Sequence, residues 1–174
     1  MRKYRIIYVL VLILSVVLLF TNCSLKKDSA ETKSTEIKRS FTGRFEPESC
    51  EAVTNSLKSD LSISNLIELE IEDISVHYGF SSAYLDDFSA YSSKTDGCAD
   101  EIAVFKINKD KERQTAIDAL MEKTKLKSQS YKDLNSKEYA KFGANAVSLH
   151  GNYIVVLICS SPDSAYNLLN EYYV

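Results

Sequence analysis

Ala146-Val147-Ser148-Leu149-His150-Gly151-Asn152-Tyr153-Ile154-Val155-Val156-Leu157-Ile158-Cys159 is the stretch whose reading decides the fold. Two apolar runs, Ala146 to Leu149 and Tyr153 to Cys159, bracket Gly151-Asn152, with His150 at the edge of the turn. A two-residue linker of that type between strand-like runs is hairpin chemistry. The second run is apolar at consecutive positions, so it cannot keep one face in water. It predicts a central strand covered on both sides, with the N-terminal helices as candidates for the cover.

Working upstream, the period of the apolar residues changes to that of helices. Asp110 to about Lys127 places Ile117, Leu120, Met121 and Thr124 on one face. A shorter helix follows Asn135, which can cap while Glu138 reaches back at capping-box spacing, and Gly143 ends it. Before the long helix, Phe88 to Tyr91 and Glu101 to Ile107 read as two strands joined by a polar turn that contains Asp96-Gly97. Earlier still, Asp73 to Tyr78 reads as a short helix with Asp73 as its cap and Gly79 as its stop. Cys50, Val53, Leu57 and Leu61 recur at helical spacing, behind a Pro47 of the kind tolerated in a first turn. Downstream of the hairpin, Ser161-Pro162 opens a last helix with Ala165, Leu168, Leu169 and Tyr172 on one face. Helices, hairpin, helices, hairpin, helix is the order of an α+β domain, here an antiparallel sheet of about four strands with helices packed on it. It occupies residues 46–174.

The first 45 residues read differently. Arg2, Lys3 and Arg5 precede an apolar run, Ile6 to Phe20, interrupted by Ser15, and Cys23 follows. Basic, then apolar, then cysteine is the layout of an export signal. Two readings follow from it. In the first, residues 1–22 are a signal peptide and Cys23 is the lipidation site, because a thiol alone among side chains gives a stable thioether with a diacylglyceryl group. Phe20 and Asn22 depart from the usual residues ahead of such a cysteine, whereas Thr21 fits. In the second, the run is an uncleaved anchor, although a span wants about 20 apolar residues and this one is nearer a signal-peptide core in length. Both leave the remainder outside the cytoplasmic membrane, since the positive charges stay inside. Residues 23–45 carry few apolar side chains and no period, the composition of a flexible tether.

Charge excludes some partners. The chain has 21 basic and 24 acidic residues, and three of the basic ones lie within residues 1–22. The portion beyond the signal is acidic, which argues against nucleic acid, whose phosphates need a basic footprint. It does not suggest electrostatic adhesion to anionic lipid either. Attachment then falls to acyl chains such as palmitate, two of which suffice.

Catalytic motifs are scarce. Histidine occurs only as His77 and His150, read here as surface residues, and there is neither a nucleophile elbow nor a phosphate-cradling glycine loop. The run Asp96-Gly97-Cys98-Ala99-Asp100-Glu101 fails as a calcium loop: with Gly97 at the sixth position, Ser92, Lys94 and Ala103 fall where carboxylates are needed. Asp96-Gly97 reads as a turn and Asp100-Glu101 as a solvated strand entry. Cys50, Cys98 and Cys159 are an odd number without metal or redox spacing; Cys159 is read as a small buried hydrophobe, and nothing local requires Cys50 and Cys98 to pair. The tyrosines could line a carbohydrate or peptide groove, but their spacing suits packing. The expectation is a non-catalytic binding or assembly module with no cofactor and no metal, its partner an envelope protein or cell-wall ligand. The rival is an enzyme acting on envelope material through Asp100 and Glu101.

Asp100-Glu101-Ile102-Ala103-Val104-Phe105-Lys106, Gly151-Asn152-Tyr153-Ile154-Val155 and the terminal helix resemble a family of short bacterial lipoproteins known as domain of unknown function 4358. The resemblance spans about Asp73 to Tyr172 and implies an extracytoplasmic lipoprotein, typical of Gram-positive bacteria. It implies no activity, cofactor or catalytic residue.

Overall fold

In the computed structural model, residues 49–172 are described. The signal, Cys23, the tether and Pro47 lie outside them. Five strands form one antiparallel sheet in the order β1-β2-β3-β5-β4. They are β1 (Leu66–Glu68), β2 (Asp87–Ser93), β3 (Glu101–Lys106), β4 (Val147–His150) and β5 (Tyr153–Ile158). The helices are α1 (Cys50–Asp60), α2 (Ile74–Tyr78), α3 (Asp110–Lys132), α4 (Ser136–Tyr139) and α5 (Pro162–Tyr172), with a 3-10 turn at Ser82–Tyr84. The α+β class and both hairpins stand as expected.

The expected four strands become five. Leu66–Glu68 is only three residues long and pairs with Tyr91, Ser92 and Ser93 at the sheet edge, too short to show an alternation. The middle of the sheet is β3, and β5 lies next to the edge strand β4. The all-apolar reading of β5 holds nevertheless, because both its backbone edges are paired and all six residues are buried. Its two faces feed separate cores. Ile154, Val156 and Ile158 join Ala103, Phe105, the α2 residues Ile74 and Tyr78, and the α3 residues Ala116, Ile117 and Leu120. Tyr153, Val155 and Leu157 join Ile102, Val104, the α1 residues Cys50, Val53 and Leu57, and the α5 residues Ala165 and Leu169. The two N-terminal helices thus cover opposite faces, each with one later helix.

Local signals behave mostly as read. Gly151 has φ +61°, the left-handed turn conformation that costs glycine nothing. Ser49 caps α1 by accepting from the Ala52 N–H, two residues beyond Pro47 and later than the first-turn reading of that proline. Asp73 precedes α2 but does not cap it; its carboxylate accepts from the Glu70 N–H instead. Asn135 does cap α4. Helix α3 runs past Lys127 to Lys132. Its 23 residues make about 35 Å, whereas a six-residue strand spans about 20 Å. The helix therefore overhangs the sheet, and none of its residues beyond Leu120 is fully buried.

Candidate functional site

The register sets one end of the sheet. Ser92 pairs with Glu101 and Glu101 with Ile158, so the next residues along, Ser93, Asp100 and Cys159, line up across three strands. Helix α1 finishes at the same end, and α5 starts there after Ser160-Ser161. Between them lies a cleft of about 250 Å³, walled by residues 61–65, Ser93, Thr95, Cys98, Asp100 and residues 159–161. That is somewhat below the roughly 300–1,000 Å³ of drug-sized sites, room for a small polar group.

The loop 61–65 is built at some cost. The Ser62 N–H donates to Ser59 O at 3.1 Å and the Ile63 N–H to Lys58 O at 3.1 Å, the paired bonds of a Schellman cap. Its left-handed position, normally glycine, is occupied by Ser62 at φ +51°. Asn65 is left-handed too, at φ +59°, and its carbonyl accepts from the Lys94 N–H at 2.8 Å. A left-handed residue with a Cβ costs about 1–2 kcal/mol, asparagine being the tolerant case. Ser62 and Asn65 are the non-glycine residues with positive φ among those described, and both line the cleft.

Below the cleft sits a charge cluster. Lys141 Nζ is 2.9 Å from Asp100 Oδ1 and 2.8 Å from Glu138 Oε2. The Cys98 thiol donates to Asp100 Oδ2 at 3.1 Å, and Lys141 donates to Cys98 Sγ at 3.5 Å. Burial by itself would lower the Lys141 pKa, but hydrogen bonds to Glu138 and Asp100 outweigh it and hold the ammonium charged above its usual range. Burial likewise works to raise Glu138, yet Lys141 and the Ala99 N–H leave its carboxyl below the usual value. Glu138 is thus used otherwise than its spacing suggested. Its carboxylate accepts from the Ala99 N–H at 2.7 Å, 39 residues away, where a capping box was expected.

Glu101 corrects the reading of a solvated strand entry. Its residue is 3% exposed and lies across the strand from the cleft. It is paired with Lys127, and His77 Nε2 is 3.6 Å away. Burial pushes its pKa up, and the neighbouring His77 ring with the Lys127 charge more than reverses this, leaving the carboxyl below its ordinary value. Lys127 also donates to Ala99 O at 3.1 Å. Ala99 is therefore gripped at both backbone groups, by Glu138 on one side and Lys127 on the other. Asp100 and Glu101, adjacent in sequence, face different partners and do not converge on one point.

Other sequence candidates are also placed. His150 is 1% exposed and not a surface residue; its Nε2 is 3.0 Å from Ser148 Oγ, and burial lowers its pKa to about 4. His77 is half-buried beside Glu101. Cys159 is buried, as read, and Cys50 is as well. Among the described residues no tyrosine lines the cleft: Tyr78 packs edge-on to Phe105 at 4.9 Å, and Tyr131 stacks near Phe142 at 5.9 Å. Among the described residues there is no group of three or more potential metal ligands, and no helix is long and apolar enough to cross a membrane. Sequence reasoning counted Leu61 into the first helix, of which it is the C-cap, and gave residues 62–65 no role. The visible signal was Leu61-Ser62-Ile63-Ser64-Asn65 directly after a helix, a place where glycine would ordinarily close the turn.

This surface chemistry is consistent. Ser62, Ser64, Asn65, Ser93, Thr95 and Ser160 line the cleft with Asp100, whose carboxylate shares the Lys141 ammonium with Glu138. Such a set exchanges hydrogen bonds with neutral polar groups.

The chain belongs to the family described as Domain of unknown function (DUF4358), whose model matches residues 59–159. The match begins in the last turn of α1, earlier than the resemblance placed it, and stops at Cys159, leaving α5 outside. It takes in all five strands, the loop 61–65 and the charge cluster. No curated protein and no solved structure matches the chain.

Proposed function

We propose that this member of the family is an exported lipoprotein, held at the extracytoplasmic face of the cell membrane through Cys23. Its domain is a non-catalytic binding or assembly module, and the cleft receives a neutral polar ligand of the cell envelope, such as a cell-wall fragment. The observation that carries the reading is Ser62. Glycine there would relax the backbone, so the serine hydroxyl is retained in the cleft against about 1 kcal/mol of conformational cost. The anchor rests on the order of basic end, apolar run and cysteine in residues 1–23.

The rival enzyme needs a carboxylate free to move a proton. Asp100 has one oxygen against Lys141 and the other taken by the Cys98 thiol, and Glu101 is buried on the other side of the strand. Binding is the better supported use of the cleft.

Both halves are tested with the chain purified from membranes and with soluble N-acetylglucosamine oligomers, an uncharged piece of cell-wall glycan, as probe. Calorimetry should show saturable binding that Ser64→Leu, a change at an exposed cleft position, removes while the melting temperature holds. Absence of binding overturns the cleft assignment. Turnover of the oligomers that Asp100→Asn abolishes overturns it in favour of the enzyme. Labelled palmitate should enter the parent and not Cys23→Ala; equal labelling of the two, or none in the parent, removes the anchor.

A further inference from the structure

The acidic average conceals a strong asymmetry. Between residues 49 and 172 lie twelve lysines and arginines, and six of them fall within 123–141, against two of the nineteen acidic residues. This segment is the overhanging half of α3 with α4. Lys127 and Lys141 turn inward to Glu101 and Asp100, whereas Lys123, Lys125, Lys132 and Lys137 are exposed. Apolar side chains stand among them: Leu126 is 52% exposed, Tyr139 41% and Leu134, at the tip between the two helices, 85%. Lys125, Leu126, Gln129 and Lys132 share the outward face of α3, opposite Ala116, Ile117 and Leu120 in the core.

We infer that this basic, Leu-studded end of α3 and α4 docks on the anionic phospholipid surface of the membrane that carries the anchor. Exposed charges are screened within about 8 Å at physiological salt, so a bilayer responds to the patch that approaches it and not to the charge of the whole domain. Lysines supply attraction to anionic headgroups, and Leu126 and Leu134 supply apolar area for the headgroup–acyl boundary. A polyanion in solution would use the lysines and leave both leucines in water, which is why lipid is the better fit. The inference rests on the anchor proposed above. The 25 residues between Cys23 and Ser49 can extend to at most about 85 Å. The domain is therefore held near the bilayer at high effective concentration, and a weak surface contact is enough.

The chain contains no tryptophan, so Leu134→Trp introduces a unique fluorophore at the centre of the patch. The variant, purified from membranes, is reconstituted into vesicles of brominated phosphatidylglycerol or brominated phosphatidylcholine. Flotation with the vesicles reports the anchor; quenching reports docking. About twofold quenching is expected in the anionic vesicles only, lost with Lys125→Glu, Lys132→Glu and Lys137→Glu together, and absent from Ile67→Trp on the edge strand β1. Flotation without quenching at position 134, or equal quenching in both lipids or at both positions, overturns docking while leaving the anchor intact. A blue shift with dissolved DNA or polyphosphate but not with vesicles also overturns it and reassigns the patch to a polyanion. Failure to float removes the anchor, and docking on the anchoring membrane falls with it.

Discussion

Glu101 shows how far a residue's role can lie from its appearance in the chain. It stands beside Asp100 at a strand entry, but β3 is the middle strand and its first side chain points beneath α2 and α3. There the carboxylate is held by Lys127 and His77, and the adjacent Tyr78 hydroxyl is pushed well above its ordinary pKa, by burial first and by the Glu101 charge second. Removing one member of a buried pair leaves the other charge without compensation, which costs about 3–5 kcal/mol. Lys127 keeps 28% of its side chain in solvent, so Glu101→Gln should cost about 3 kcal/mol, the lower end of that range. Urea denaturation is the measurement, and a loss under about 1 kcal/mol would show that the pair is solvated in solution. Asp100→Asn, whose partner Lys141 retains Glu138, should cost distinctly less.

At the scale of elements, the segment joining α4 to β4 is fixed from two sides. Glu138 and Lys141 bind it to the start of β3, and Gly143 lies against the first residue of α5. A Cβ on Gly143 would sit 2.6 Å from Pro162 Cβ, and neither a proline ring nor the start of a helix gives way easily. Gly143 does not have a left-handed φ, so this glycine is required by contact and not by backbone conformation. Gly143→Ala should therefore destabilise the fold by about 1–3 kcal/mol through overpacking. Gly97→Ala makes the comparison informative: a Cβ there meets nothing within 4 Å and strains only the backbone, at φ +75°. A drop in melting temperature for Gly97→Ala equal to or larger than that for Gly143→Ala would refute the contact argument. The sequence read Gly143 as the stop of α4, but that helix ends at Tyr139 with Ala140 as its cap, and the reason position 143 must be glycine belongs to a helix that begins nineteen residues later.

At the scale of the whole molecule, stability should fall on the acid side in two stages. His150 is kept neutral in the fold, with its pKa lowered from 6.5 to about 4. The unfolded chain takes up a proton there first as pH falls, so the native state loses ground between about pH 6.5 and pH 4 and no further below that. A shift of that size corresponds to about 3 kcal/mol. Glu101 and Glu138 have lowered folded pKa values, so their contribution is present above about pH 4.5 and disappears as pH drops through the folded values. Melting temperatures should thus decline from pH 7 to pH 4, and His150→Gln should flatten the upper stage while leaving the lower one. A wild-type profile level between pH 7 and pH 5 would contradict the burial of His150.

The sequence alone determined the order of the helices and of four of the five strands, the α+β class and the two hairpins, because these follow from local periodicity and turn chemistry; the three-residue β1 was too short to show a period. The doubly covered β5 and the burial of Cys159 were legible for the same reason: an apolar run carries its own demand for cover. The tertiary structure alone decided which strand stands in the middle, since pairing order is set by contacts between residues far apart in the chain. It also decided that Asp100 faces a cleft while Glu101 is buried behind it, and that Glu138 leaves its helix to hold Ala99. It placed Ser62 in a glycine position at the end of the sheet. Each of these depends on what arrives from another element, and no period or spacing within a single segment records it.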